Sequence, residues 1–166
     1  MITITLDEQE FQQAALSGVL REASARRRRA ANCHGASVEA DPWHMHINGS
    51  LAELAVAKYL NCYWRGLGIY GTHGDLAGVE VRWRGQATYD LVLYPRDEDR
   101  VPYVLVTGDA PTLTLRGWIL GVHGKRPEYW RAPGGRWAYF VPQSALCEMA
   151  NLKPFLLARE ANGVIT

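Results

Sequence analysis

An aspartate, a glutamate and an arginine lie close together in the segment GDLAGVEVRWRGQ, residues 74–86. Asp75 precedes Glu80 by five residues, and Arg82 follows Glu80 by two. Two carboxylates that converge can hold a hard cation such as Mg²⁺, which keeps several waters and accepts phosphate oxygens. Such an ion lowers the pKa of a coordinated water and neutralises charge on a phosphate. The pattern therefore predicts a site for Mg²⁺ or Mn²⁺ that handles a phosphate group.

The residues around this acidic pair follow the period of a β-strand. From residue 79, apolar side chains alternate with charged ones: Val79, Val81 and Trp83 against Glu80, Arg82 and Arg84. Residues two apart on a strand share a face, so we expect the charged set to point away from the core. Because bare ions are costly to bury, that face either meets water or lines a polar cleft for a metal ion or phosphates.

The helical pattern before this strand has two parts. Asp7 and Glu10 suit a capping box and predict a helix that ends near residue 31. Its apolar residues form a stripe of helical period: Phe11, Ala15, Val19 and Ala23, with Leu16 and Leu20 beside it. Gly, Asp-Pro and Asn-Gly in the following segment predict a loop, and we expect a second helix to start at Ser50.

Four apolar segments after residue 85 predict further strands: YDLVLY, YVLVTG, LTLRGWILG and RWAYFVP. The polar segment PRDEDRVP is expected to be a hairpin tip between the first two. A C-terminal helix, kinked or broken near Pro154, would end the chain. This order predicts one α+β domain with an N-terminal helix and loop in residues 1–47, a core in 48–142 and the C-terminal helix in 143–166.

The motif and its place in this order resemble the PD-(D/E)XK nuclease superfamily. Members carry an aspartate and then Glu-x-Lys on the next strand, in a sheet flanked by helices. The resemblance implies a central mixed sheet of about five strands flanked by helices. It matches Asp75 to the aspartate, Glu80 to the glutamate and Arg82 to the lysine position. Glu53 would be the helical glutamate that aids metal binding in many members, so the implied metal ligands are Asp75, Glu80 and Glu53.

A wider pattern is similar to small phage-encoded members of that superfamily. It comprises the GSLAELAVAKYL helix, GVEVR, and the YVLV and GWILG strands, and it covers roughly residues 48–142. It implies a nuclease that cuts DNA in a host cytoplasm. The residues that would contact the DNA are Arg84, Gln86, Lys125 and Arg126.

Several of these residues have a structural alternative. Glu53 follows Ser50 by three positions and would equally complete a capping box. Gln86 and Lys125 are also typical of solvated loops. Arg82 departs from the family pattern, because arginine stays protonated in proteins and cannot act as a base. The alternative function is a catalytically impaired nuclease-fold module that binds nucleic acid or a host protein.

Composition limits the class of protein. Apolar residues make up 48% and charged residues 21%, which is usual for a soluble globular chain. No stretch approaches the roughly 20 apolar residues that a membrane span needs. The formal net charge of +1 does not indicate a nucleic-acid binder, although four arginines are consecutive at residues 26–29. Three widely spaced cysteines, Cys33, Cys62 and Cys147, indicate a reducing cytoplasm rather than a disulfide framework.

Four residues with metal-binding side chains, Cys33, His34, His44 and His46, lie within one segment. Structural zinc usually takes ligands in paired short spacings, and adjacent Cys-His strains one tetrahedral site. We therefore expect a polar loop near the core helix rather than a zinc site.

Six tryptophans are many for this length. Trp83 and Trp118 are expected in the core. Trp43, Trp130 and Trp137 lie near basic residues, an arrangement that either stacks bases or packs beneath loops.

Overall fold

Four α-helices and seven β-strands form the described part of the chain, which in this computed structural model comprises residues 1–27, 41–66, 76, 78–133 and 135–161. The helices are α1 (Glu8–Arg27), α2 (Pro42–Leu60), α3 (Gly121–Gly124) and α4 (Leu152–Ala161). The strands are β1 (Ile2–Thr5), β2 (Glu80–Arg84), β3 (Leu91–Leu93), β4 (Pro102–Thr107), β5 (Thr112–Leu120), β6 (Trp130–Arg131) and β7 (Ala138–Val141). The chain is therefore α+β, as its sequence predicts.

The strands divide between two sheets rather than forming the expected single sheet. A four-stranded mixed sheet has the order β1-β5-β4-β2, with β2 parallel to β4 and the other pairs antiparallel. A three-stranded antiparallel sheet has the order β3-β7-β6. The segment PRDEDRVP is consequently not a hairpin tip, because it joins β3 to β4 and these belong to different sheets. β3 is buried along its whole length, so its local pattern does not specify which strand it pairs with.

Helices and the smaller sheet cover opposite faces of the mixed sheet. Val81 and Val104 share one core with residues of α1 and α2. Tyr103 and Leu105, which alternate with Val104 along β4, share a second core with Leu91 and Val141 of the smaller sheet. Successive strand residues point to opposite faces, which places every side chain of β2 and β4 in one layer or the other.

The first helix begins as predicted and buries a different face. Its capping box is formed: Asp7 donates its backbone N–H to Glu10 at 2.8 Å, and Glu10 donates to the Asp7 carboxylate at 2.9 Å. The buried residues of α1 are Ala14, Ser17, Gly18 and Glu22. The predicted apolar stripe is wrong, since Phe11 is 38% exposed and the neighbouring Leu16 is 60% exposed. Three of the four buried residues are small, and at Gly18 the close approach of α2 leaves no room for a side chain.

The second helix starts at Pro42 instead of Ser50, so the loop predicted up to residue 49 is wrong for residues 42–49. The Asp41 carboxylate caps it by accepting the Trp43 N–H at 3.0 Å, and a proline suits the first helical position. The Asn48 amide donates to the His44 carbonyl at 3.0 Å and is buried within the helix. Packing against α1 therefore overrides the turn preference of Asn-Gly.

The chain ends differ from expectation in detail. Residues Gln143–Ala145 and Met149–Asn151 form 3₁₀ turns, and the helix proper begins only at Leu152. Pro154 lies in the first turn of α4, where backbone N–H groups have no acceptor within the helix. The missing N–H of proline therefore breaks no helical hydrogen bond, and Pro154 does not kink the helix. Strand β1 was not predicted, and it pairs with β5 at the edge of the mixed sheet. None of the helices in the described part is long and apolar enough to cross a bilayer.

Candidate functional site

Arg82 joins two carboxylates on the charged face of β2. Its Nη1 donates to Glu80 Oε2 at 3.0 Å, and its Nη2 lies 3.2 Å from Asp97 Oδ2. The guanidinium carbon is 5.1 Å from the centre of the Tyr103 ring. The three charged side chains are 25%, 16% and 8% exposed for Glu80, Arg82 and Asp97. A guanidinium charge is thus held between two acids at the margin of the second core.

Strand pairing accounts for this arrangement. β2 runs parallel to β4, with Glu80 beside Tyr103 and Arg82 beside Leu105. The predicted alternation along β2 is confirmed, because Val79 and Val81 are buried against the helices while Glu80 and Arg82 point to the other face. The tyrosine of β4 therefore supplies the ring beneath the arginine.

Asp97 is a member of this site that the sequence did not indicate. It lies in the connection between β3 and β4, which we expected to be a solvated tip. Its carboxylate accepts the backbone N–H of Tyr94 at 2.9 Å, and its own N–H donates to the Tyr94 carbonyl at 3.0 Å. The turn therefore orients Asp97 toward Arg82, a contact that no local sequence pattern predicts.

The Tyr103 hydroxyl is fixed by the same connection. It accepts the backbone N–H of Glu98 at 2.8 Å. Burial, and secondarily the negative charge of Asp97, raise the pKa of Tyr103 well above its ordinary value. The phenol therefore stays neutral at ordinary pH and serves as a hydrogen-bond acceptor and as a ring beneath Arg82.

Glu53 lies in another layer of the molecule. Arg21 donates to both of its carboxylate oxygens, at 2.5 and 2.6 Å, and the Trp64 indole donates at 3.2 Å. Trp64 belongs to the core that β2 and β4 share with α1 and α2, whereas Glu80 faces the second core. The structure therefore does not bring Glu53 together with Glu80, and an acid already engaged by a guanidinium and an indole is a poor metal ligand. The capping box with Ser50 is also wrong, because Ser50 lies inside α2.

Asp75 and His73 lie outside the described residues. The chain beside them is held at Leu76, which exchanges two backbone hydrogen bonds with Val79, at 3.1 and 2.6 Å. No group of three or more His, Cys, Asp or Glu side chains that could hold a metal ion occurs among the residues that the structure describes.

The candidate zinc ligands are only partly described, since Cys33 and His34 fall outside the described ranges. His44 lies on α2, where its ring packs edge-on against Trp83 at 5.3 Å between ring centres. His46 Nε2 lies 3.3 Å from the buried carboxylate of Glu22. Burial lowers the pKa of His46, an effect that the Glu22 charge opposes and the Arg21 charge reinforces. Both described histidines thus belong to a helix rather than to the expected polar loop.

The predicted DNA contacts have different surroundings. Arg84 lies over the Tyr89 ring at 4.7 Å, and Gln86 is exposed in the following turn. Lys125 is not a solvated loop cation, because its side chain is 13% exposed and its ammonium binds the Pro95 and Asp97 carbonyls and the Asp99 carboxylate. Arg126 is 55% exposed and lies 3.7 Å from Glu128. Lys125 therefore anchors the connection that carries Asp97.

Four of the six tryptophans fall into two classes. Trp118 is buried and Trp83 is half-buried, with its indole donating to the Gly108 carbonyl at 2.8 Å, so both belong to the core as predicted. Trp130 and Trp137 instead stack on each other at the surface, with ring centres 5.6 Å apart. The prediction that such tryptophans pack beneath loops does not describe this pair.

Comparison with known proteins adds no relative. No protein-family model matches the chain, and neither a curated protein nor a solved structure is significantly similar to it. The resemblance to PD-(D/E)XK nucleases stays a prediction that depends on a short motif and on the order of elements.

Proposed function

We propose that the protein is a Mg²⁺-dependent nuclease with a PD-(D/E)XK-like core that hydrolyses phosphodiester bonds in DNA. Asp75 and Glu80 would be the metal ligands, and Arg82 would stabilise negative charge on the phosphate. The observation that carries the proposal is the pairing of a partly exposed Glu80 carboxylate with Arg82 at 3.0 Å on a parallel strand of a mixed sheet.

Of the expected metal ligands in the described part of the chain, Glu80 suits a metal ion and Glu53 does not. Glu80 supplies one carboxylate at a position that solvent reaches, and Mg²⁺ is usually held by one or two carboxylates. The two hydrogen bonds between Leu76 and Val79 hold Leu76, the residue after Asp75 in the sequence, beside the residue that precedes β2. Glu53 is not a metal ligand in this proposal, because its carboxylate oxygens already accept hydrogen bonds from Arg21 and Trp64. When bound, the ion would activate a water nucleophile and neutralise phosphate charge.

Arg82 contributes binding rather than proton transfer. A guanidinium remains protonated and presents a planar fork that matches phosphate oxygens. Asp97 and the Tyr103 ring restrict where that fork points. In this proposal Asp97 is a positioning residue, because it contacts Arg82 and not the substrate.

The proposal is tested by incubating the purified protein with linear and circular DNA in Mg²⁺, in Mn²⁺ and in EDTA. Cleavage should require the ion and should fall by at least about 10²-fold in Asp75→Ala and in Glu80→Ala, as for removal of an electrostatic catalytic group. Glu160→Ala, which removes an exposed acid on α4, is the matched control and should cut normally. Cleavage that persists in both site variants, or no cleavage in either ion, would contradict the proposal.

The second candidate is a catalytically impaired module of the same fold that binds nucleic acid or a host protein. The observation in its favour is that a guanidinium already bridges Glu80 and Asp97 where the family places a lysine. The same assay separates the two candidates. An impaired module would bind DNA with strong salt dependence and without cleavage, and Arg82→Lys would be the variant expected to gain cleavage. If DNA is neither cut nor bound, a protein partner is the remaining form of this candidate.

A further inference from the structure

We propose that the stacked indoles of Trp130 and Trp137 form a binding platform for an unpaired base of single-stranded nucleic acid. The two rings lie 5.6 Å apart between centres at an interplanar angle of 19°. Tyr139 supports the pair from β7, with its ring centre 4.7 Å from that of Trp130. The register explains the support, because Trp130 and Tyr139 are direct cross-strand partners.

Trp130 and Trp137 are both more exposed to solvent than a tryptophan of the core. Trp130 is 37% exposed and Trp137 is 57% exposed, whereas Trp118 in the core is 5% exposed. Tyr139 packs against the second core, so Trp130 extends that core toward solvent. Trp137 lies against Trp130 on one ring face and retains enough surface to receive another flat ring. Every nucleic-acid base has a π-face that can stack in this way.

The charge around the platform favours a polyanion. Residues 126–137 contain three arginines, Arg126, Arg131 and Arg136, against one acid, Glu128. Arg131 pairs with Asp90, and Arg126 lies near Glu128. Arg136 has no acidic partner within the described ranges, and its guanidinium lies 5.3 Å from the centre of the Tyr94 ring. Arg136 precedes Trp137 in the chain, so a phosphate on Arg136 and a base on Trp137 would belong to one strand.

The occupant should be single-stranded. A base in a duplex is already stacked on both sides and paired, so it cannot present its face to Trp137. A stacking platform beside a cation is the arrangement by which proteins hold unpaired strands without reading their sequence. The inference goes beyond the proposed hydrolysis, because binding at this platform requires neither a metal ion nor Glu80.

The test measures binding of a fluorescein-labelled oligothymidylate of about 20 nucleotides, long enough to cover a single-strand site. Fluorescence anisotropy is recorded in EDTA, so that hydrolysis does not contribute. Trp137→Ala should weaken binding by about 5- to 150-fold, the range for losing one stacked base. Arg136→Gln should reduce the slope of log Kd against log salt by about 0.7, as for the loss of one phosphate contact on a single strand.

Matched controls remove similar groups elsewhere. Tyr63→Ala deletes an aromatic side chain that is 86% exposed beyond α2, and Arg65→Gln removes an exposed cation nearby. Both should bind the oligothymidylate like the parent protein. The Tm of every variant is measured alongside, and Trp137→Phe, which keeps a ring, should bind more tightly than Trp137→Ala.

Three outcomes would overturn the platform: no binding of the single strand, equal binding of a duplex of the same length, or equal affinities of Trp137→Ala and Tyr63→Ala. These results are independent of the nuclease proposal. If Glu80→Ala loses cleavage while Trp137→Ala binds the oligothymidylate normally, only the platform proposal is refuted. If Trp137→Ala weakens binding but the parent protein cuts no DNA, only the nuclease proposal is refuted.

Discussion

Arg21 and Glu53 form a two-point ion pair that joins α1 to α2. The two N–O distances are 2.5 and 2.6 Å, and the side chains are 14% and 8% exposed. Arg21 also donates to the Gly66 carbonyl, at 3.1 Å from Nε and 2.6 Å from Nη2. One largely buried guanidinium therefore ties both helices to the Gly66 carbonyl, six residues beyond the end of α2.

Glu53→Gln should destabilise the fold whether or not a divalent ion is present. The amide would remove the carboxylate charge that faces the Arg21 guanidinium, and breaking one member of a buried ion pair costs about 3–5 kcal/mol. Urea denaturation in EDTA and in Mg²⁺ measures the change. The double variant Arg21→Met with Glu53→Leu should recover much of the loss, since apolar replacement of a buried pair is often neutral. A stability loss of under about 0.5 kcal/mol, the usual range for surface changes, would show that the pair is not structurally important.

Arg82→Lys should lower stability by about 1–2 kcal/mol, because one ammonium cannot reproduce the planar fork that reaches both Glu80 and Asp97. Combining it with Asp97→Asn in a double-mutant cycle should give a coupling of about 0.5–3 kcal/mol, as for residues in one network. The free energy of unfolding from urea titration is the measurement. Arg84→Lys is the control on the same strand face, and its change should stay within about 0.5 kcal/mol. Additive effects of Arg82→Lys and Asp97→Asn would refute the coupling between Arg82 and Asp97.

Gly18→Ala should destabilise the protein although alanine is the better helix former. An added Cβ would lie 2.7 Å from the His46 carbonyl oxygen and closer still to the Ile47 Cα, so α1 and α2 would have to separate. Overpacking of this kind costs about 1–3 kcal/mol. Gly49→Ala, inside α2 with nothing within 4 Å of the added atom, should instead stabilise by about 0.5–1 kcal/mol. Thermal melts of the two variants should therefore shift in opposite directions, and a shared direction would contradict the helix contact.

Stability should fall as the pH decreases below the ordinary His46 pKa of 6.5. Burial lowers the pKa of His46 in the folded state, with Glu22 opposing and Arg21 reinforcing that change. Between the folded and unfolded values the unfolded chain binds the proton and the folded chain does not, so acid favours unfolding. Urea midpoints at about pH 7.5 and about pH 5.5 bracket this window. His46→Gln should have a smaller difference between the two midpoints than the parent, and an equal difference would exclude His46 as the cause.

Local sequence was sufficient for features that depend on neighbours along the chain. The capping box of Asp7 and Glu10 and the alternation along β2 were both predictable, because hydrogen bonds at a helix start and the faces of a strand follow from spacing alone. The α+β class follows in the same way from the order of periodic segments. The start of α2 was missed because Asn48 and Gly49 favour turns locally, although the Asp41 cap and Pro42 are local signals for a helix start. The contact with α1 outweighs the turn preference of Asn48 and Gly49.

The sequence by itself determined that Glu80 and Arg82 share one face of a strand. Only the tertiary structure decided that Asp97 meets Arg82, that Arg21 engages Glu53, and that the strands divide between two sheets. These contacts join residues from 15 to 32 positions apart, or strands whose burial on both faces leaves their partners unspecified. Periodicity reports which way a side chain points relative to its own element. The element that lies opposite is selected by the packing of the whole chain, and that is what separates Glu53 from Glu80.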